Sequence, residues 1–340
     1  MNSKLEQLKQ PEKLSYSLAV IASVAICSLL FMLHLSLGAK PLSYAVLYQS
    51  LSSFDNTNFN HMIIHNIRLP RALVAMAVGA SLSVAGAIMQ GVTRNPLASP
   101  SVLGLLAGAS FAVVIGLGLF DITSPLYTPW IAALGAATAA ILVLAIATAA
   151  PGGATTLNLT LSGAAISALL AALISVMQLA NEDDFDDLRE WLTGSLSGSS
   201  LQSFYYIAPI VLLALTVAVL LSRKITVLGM GDEIAKGLGV KTFGLKVQLL
   251  LIVIVLTACS VALAGPVGFV GLVIPHVIRF FVGADYRWVI PFCAIIGAAF
   301  LLSVDIVART VISPQEISTG IITAIIGAPL FVYLVKMKLR

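Results

Sequence analysis

Val247–Pro275 reads VQLLLIVIVLTACSVALAGPVGFVGLVIP, 29 residues without one Asp, Glu, Lys or Arg. A bilayer core about 30 Å thick takes a helix of about 20 residues, so this stretch is too long for one upright span. Gly265-Pro266 supplies the break, because proline removes a backbone donor and clashes with the turn before it. The stretch therefore reads as two spans, one ending near Ala264 and one running from Gly268 to Val282. The second is short and carries His276 and Arg279, which are costly to bury unpaired in hydrocarbon.

The rest of the chain has the same character. Of its 340 residues 59% are hydrophobic and 10% charged, with a mean hydropathy of +1.02, against roughly 25% charged in soluble domains. Eight further apolar stretches can span: Leu14–Leu37, Ala72–Thr93, Leu97–Phe120, Pro129–Ala150, Leu157–Ala180, Leu201–Leu221, Trp288–Ile306 and Ile317–Val335. The first lacks a small-residue cleavage site and reads as a retained anchor. The expected fold is an all-α polytopic membrane protein, one domain over 1–340 with ten transmembrane helices. The 26 glycines, Gly104/Gly108 at GxxxG spacing and runs such as IAALGAATAA suit close helix packing in lipid.

With ten spans both termini share a side. Lys40, Arg68, Arg71, Arg189 and Arg309 fall on the other side, and the remaining fourteen of the 19 Lys and Arg fall with the termini. The positive-inside bias then makes the termini cytoplasmic. An acidic run, Glu182–Asp187 with Glu190, falls outside and reads as a solvated loop. On the cytoplasmic side Arg223–Lys246, RKITVLGMGDEIAKGLGVKTFGLK, forms a polar island with five basic residues and two acids. Asp232 and Glu233 open a short helix whose first turn favours negative charge. Ala235 is small, and Gly237 and Gly239 can end the helix. Two turns are marginal alone, so a soluble partner surface is the natural source of order, with a merely solvated loop as the alternative.

No enzyme constellation is present. Gly239-Val240-Lys241-Thr242 lacks the glycine-lysine step of a phosphate loop. His61 and His65 share a helix face without the glutamate of a zinc protease and read as a solvated external pair. Cys27, Cys259 and Cys293 are isolated in apolar runs and read as packing residues. No metal, cofactor or nucleic-acid site is expected. Asp305 and His276 are the ionisable groups nearest membrane depth, too few for a proton relay, and Asp305 must be paired or near an interface.

Five blocks resemble the permease subunits of the iron-siderophore, haem and cobalamin ABC importers. They are Arg68-Leu69-Pro70-Arg71 with VGASLSVAGAIMQGVTRNPLASPSVLG (78–104), GDEIAKGLGV (231–240), GPVGFVGLVIPHVIR (265–279), DIVAR (305–309) and TGIITAIIGAPLFVYL (319–334). The resemblance implies ten helices in the bacterial cytoplasmic membrane and a path shared with a second permease, the same chain or a sister. It implies separate ATP-binding subunits and an extracytoplasmic binding protein. Arg68, Arg71 and Arg309 match external arginines that pair with glutamates of the binding protein. The alternatives are interfacial anchoring for Arg68 and Arg71 and a local pair with Asp305 for Arg309. Gly231, Asp232, Glu233, Ala235, Gly237 and Gly239 match the coupling helix that fits a groove on the ATPase. Asn95, Pro96 and Leu97, with the turn at Thr155 and Thr156, match the cytoplasmic gate. The expected cargo is a ferric siderophore, with haem or cobalamin as alternatives. An ion-coupled transporter and a membrane scaffold are the competing classes.

Overall fold

The computed structural model describes residues 16–338 apart from 39, 123 and 181–189. The acidic run Glu182–Asp187, Arg189 and the N-terminal lysines lie outside the described residues.

All regular structure among the described residues is helical. The helices are α1 (Tyr16–Ser36), α2 (Tyr44–Ser52), α3 (Phe59–Ile63), α4 (Leu69–Thr93), α5 (Leu105–Phe120), α6 (Thr128–Ala149) and α7 (Thr156–Ala180). They continue with α8 (Leu201–Gly229), α9 (Asp232–Gly237), α10 (Thr242–Ala264), α11 (Val270–Val282), α12 (Tyr286–Thr310) and α13 (Thr319–Lys338). A π-helical turn, Ile64–Arg68, joins α3 to α4. Among the described residues seven helical runs are long and apolar enough to cross a membrane, the α3–α4 run among them, and α5, α11 and α13 are shorter apolar helices. Together they match the expected ten.

The spans differ in how much protein covers them. In its most apolar window α4 is 83% buried, α1 only 17% and α7 and α8 22% each. Hence α4 is the axis of the bundle and α1 stands at its rim. Glycines set two of the α4 crossings. A Cβ on Gly86 would fall inside the Gly271 carbonyl of α11, and one on Gly79 inside the Gly297 carbonyl of α12. The GxxxG glycines of 104/108 do not share a helix face. Gly108 packs on Gly135 and Ala139 of α6, whereas Gly104 caps α5 at φ 74°.

Three boundaries differ from the sequence expectation. The third span starts at Leu105 rather than Leu97, because Pro96 and Pro100 cannot donate to a helix ladder and Asn95 and Ser99 accept from Leu97 and Val102 backbone N–H groups instead. The sixth runs on to Gly229, carrying the exposed Arg223 and Lys224 on its last turns. The second continues outward through the π turn to Phe59. Pro70 explains that turn, since its ring would clash with the carbonyl four residues back in a regular helix; the wider turn closes instead from Leu69 N–H to the Ile64 carbonyl.

The break at Gly265-Pro266 is where the sequence placed it. Its irregular backbone is covered by protein, Gly265 lying against the Trp191 carbonyl and Gly194 against that of Pro266, the only way such backbone is tolerated at depth. Helix α11 that follows has 13 residues, about 20 Å at 1.5 Å per residue. Pro275 interrupts it and deprives the Gly271 carbonyl of its helical donor. Buried Gln90 of α4 faces that gap, its Nε2 lying 3.4 Å from Gly271 O and 3.3 Å from Leu272 O. The Gln90 Oε1 accepts from Arg279, whose Nε also donates to Pro275 O at 3.3 Å. This is how α11 carries an arginine without leaving it unpaired.

Candidate functional site

At the external end, residues up to 271 positions apart converge on one carboxylate. Asp305 of α12 is fully buried. Arg71 donates to it from Nε at 2.9 Å and from Nη2 at 2.9 Å, His34 Nε2 lies at 2.8 Å and Thr319 Oγ1 at 2.8 Å. Facing an ionised carboxylate, His34 is the donor through Nε2. Arg309 lies one turn on, its Nε 3.1 Å from Oδ2, an ion pair without hydrogen-bond alignment. Arg71 reaches past Asp305 to Glu316, Nη1 to Oε2 at 2.6 Å, and the Glu316 side chain is 38% exposed.

Arg68 does something else. Its guanidinium donates to the carbonyls of Leu35 at 2.8 Å, Ser36 at 2.7 Å and Lys40 at 2.5 Å. Arg309 Nη2 adds the His34 carbonyl at 3.1 Å. The last turn of a helix leaves four carbonyls without partners, and here two arginines satisfy three of them on α1. The least covered span is thereby fastened to the bundle at its outer end.

The expectation that these arginines stand exposed is corrected. Arg68, Arg71 and Arg309 are 4%, 5% and 3% exposed, because paired carboxylates and free helix-end carbonyls offset their desolvation. The local Arg309–Asp305 pair, held open from the sequence, is present. Sequence reasoning missed His34, Thr319 and Glu316. Only the lone histidine at the end of an apolar span signalled that a buried acid was near.

His61 and His65 are not a solvated pair either. His61 is buried, with Nδ1 3.2 Å from the Asp55 backbone N–H, while His65 Nε2 bonds the Ser50 carbonyl at 2.9 Å. They brace the loop between α2 and α3, and no metal-binding group of His, Cys, Asp or Glu occurs among the described residues. The three cysteines are buried and free.

At the cytoplasmic end the polar island folds as the end of α8, helix α9, a turn and the start of α10. Gly231 opens α9 at φ 124° and Asp232 and Glu233 occupy its first turn. Gly239 at φ 79° ends it, with Val240 N–H donating to Ala235 O at 2.9 Å, while Gly237 remains the last helical residue. Ala235 is fully buried against the chain, whereas Met230, Ile234, Leu238 and Phe243 are 59%, 53%, 63% and 82% exposed. These apolar residues were not picked out from the sequence. Their signal is large side chains inside an otherwise polar, glycine-rich stretch. Asp232 pairs with Lys246 at 2.5 Å, and this bond, with the Arg94 charge beside it, holds its carboxyl below the usual range.

A cavity of about 440 Å³ lies beside this face, lined by Arg94, Asn95, Thr155, Thr156, Thr160 and Lys246 among others. It brings together Asn95 and the Thr155–Thr156 turn, 60 positions apart. Pro96 lines a second cavity of about 650 Å³, next to Arg279 and Tyr286, and Leu97 is exposed.

Residues 26–337 match the FecCD transport family. The chain belongs to that family. A protein of Bacillus subtilis (strain 168) named as a siderophore transport system permease protein is 46% identical over 299 residues, 88% of this chain and 90% of its own. The ferric enterobactin transport system permease protein of Escherichia coli (strain K12) is 38% identical over 337 residues, 96% and 99% of the two chains. Among solved structures, an inward-facing ABC transporter described as of metal-chelate type superposes with a TM-score of 0.80 at 30% identity, over 94% of this chain and 99% of that one. This FecCD protein is thus a multi-pass permease of the cytoplasmic membrane and not an enzyme. ATP hydrolysis resides in a separate subunit.

Proposed function

We propose that this permease carries ferric siderophore complexes into the cytoplasm. The observation that carries the reading is the pairing of two sites at opposite ends of one ten-helix bundle, an external basic cluster and a short cytoplasmic helix with an apolar outer face. A self-contained transporter has no use for the second. Relatives covering most of the chain are named for siderophore transport at 46% identity and for ferric enterobactin transport at 38%, against 36% for one named for hemin transport, and this order favours a siderophore cargo.

The cytoplasmic ATP-binding subunits cover Met230, Ile234, Leu238 and Phe243, with Glu233 and Lys236 at the rim. Movement of α9 changes the cavity between Asn95 and Thr155–Thr156 and opens the exit. A second permease subunit completes the path. At the external end the binding protein delivers cargo. Three guanidiniums against the carboxylates of Asp305 and Glu316 leave the cluster net positive, which steers an acidic partner to it. Since the arginines are buried, docking works through that field and through exchange of the partly exposed Glu316 on Arg71 for a carboxylate of the binding protein.

Radioiron uptake by iron-starved cells lacking the chain tests this, with iron offered as several ferric siderophores and haem and cobalamin uptake run in parallel. The expected result is loss of one siderophore class, restored by the intact chain and not by Asp232→Lys/Glu233→Lys. Unchanged uptake of every cargo, in cells without a redundant importer, overturns it.

A further inference from the structure

Two cations tie the coupling helix to the gate cavity, and neither belongs to the helix. Lys246, on the second turn of α10, gives its ammonium to Asp232, the first residue of α9, at 2.5 Å. The same lysine lines the 440 Å³ cavity together with Asn95, Thr155 and Thr156. Arg94 also acts on Asp232 through its charge. It is the left-handed cap of α4, at φ 52°, and its Nη1 lies 3.5 Å from where a Cβ on Gly231 would sit. It lines both cytoplasmic cavities and immediately precedes Asn95.

We propose that Lys246 and Arg94 are positioning residues that transmit displacement of α9 to the cytoplasmic gate, Lys246 as the link and Arg94 as the stop against which Gly231 rests. The inference rests on the importer reading above. A six-residue helix has little hold of its own; α9 is anchored by buried Ala235, and Asp232–Lys246 is the ion pair that leads from it into the cavity wall. When an ATPase pulls on the exposed face, the displacement reaches Lys246 through a directional, charge-assisted bond. Gly231, at φ 124°, adopts a backbone conformation that glycine takes at no steric cost, and this turns the chain into α9 beside Arg94. An ordinary surface pair would leave transport unaffected when broken; a transmitting pair would leave ATP hydrolysis in place and waste it.

The test uses the full transporter in proteoliposomes, permease with its ATPase subunits, binding protein and ferric siderophore, measuring cargo moved and ATP hydrolysed in the same vesicles. Lys246→Met is expected to lower cargo moved per ATP about tenfold, within the usual range of coupling free energies, while Lys246→Arg, which keeps the pair, stays within about twofold. A fluorophore on Thr155→Cys reads the cavity without any cargo: its emission responds to ATP in the parent and in Lys246→Arg, and not in Lys246→Met. An equal response in Lys246→Met, or an unchanged cargo-to-ATP ratio, overturns the proposal. If Lys246→Met fails to assemble, Arg94→Met decides by the same two readouts. A parent that shows the fluorescence response but moves no siderophore overturns the cargo reading and leaves the link standing.

Discussion

Asp305 at the external end and Asp232 at the cytoplasmic end are both aspartates with a basic partner, and they live in opposite worlds. Asp305 is fully buried and receives Arg71, Arg309, His34 and Thr319. Asp232 has one strong partner, Lys246, and both side chains remain about a third exposed. The first arrangement immobilises four segments of chain around a point. The second leaves a six-residue helix held by few bonds. An end that must register a partner without deforming is built like the first, and an end that must move when pulled is built like the second.

The contrast breaks if the two aspartates cost the same to remove. Asp305→Ala removes the buried carboxylate shared by Arg71 and Arg309 and leaves them only Glu316 and the His34 carbonyl, so unfolding in detergent should lose about 3–5 kcal/mol, the usual consequence of removing one partner from a buried pair. Asp232→Ala should lose less than about 1 kcal/mol, as solvated pairs do. Equal losses would mean that the external cluster is wetter than its burial indicates.

Arg68 sharpens the external half of the comparison, because it meets only backbone carbonyls. Arg68→Lys keeps the charge and loses the fork that reaches Leu35, Ser36 and Lys40 together. Its unfolding free energy should fall by about 2 kcal/mol, the cost of leaving a buried acceptor or two unmet, while binding-protein affinity at low salt changes little. The opposite pattern, intact stability with lost affinity, would show that Arg68 acts by direct contact with the binding protein. Gln90→Leu makes the same point deeper in the bundle. It strands the Gly271 carbonyl and one edge of Arg279, and about 1–3 kcal/mol should be lost, again by chemical unfolding.

What could be read from the sequence divides along the same line. Span number, orientation and the Gly265-Pro266 break follow from apolar runs, charge asymmetry and one proline, all local signals. The short helix at Asp232 and its glycine end were equally local. The external cluster was not legible as a cluster, since His34, Arg71 and Asp305 come from three distant segments and no spacing rule joins them. Arg68, Arg71 and Arg309 share one end of the bundle, as the sequence placed them, and their burial was missed. Basic residues near a span end ordinarily snorkel to water, and only the three-dimensional fold shows that carbonyls and carboxylates reach them first. The early turn at 95–104 was hidden by apolar Leu97, Leu103 and Leu105, which continue a hydrophobic run across prolines that end the helix.

The cytoplasmic half of the comparison rests on residues whose value shows only when a partner is present. Glu233 and Lys236 form an i,i+3 pair at 3.2 Å with side chains 91% and 58% exposed; replacing it by a like-charge contact with Glu233→Lys should leave unfolding of the isolated permease nearly unchanged, because solvent already screens it. Phe243→Ser should likewise leave the isolated chain intact, its side chain being 82% exposed. Both should reduce the ATPase subunits recovered with the permease on affinity purification, Phe243→Ser more, since an aromatic anchor contributes to an interface mainly once its water is displaced. If Phe243→Ser copurifies ATPase as well as the parent does, the exposed ring faces lipid rather than a protein groove. The coupling face then contracts to Met230, Ile234 and Leu238, and Lys246 becomes the point where the link enters the membrane.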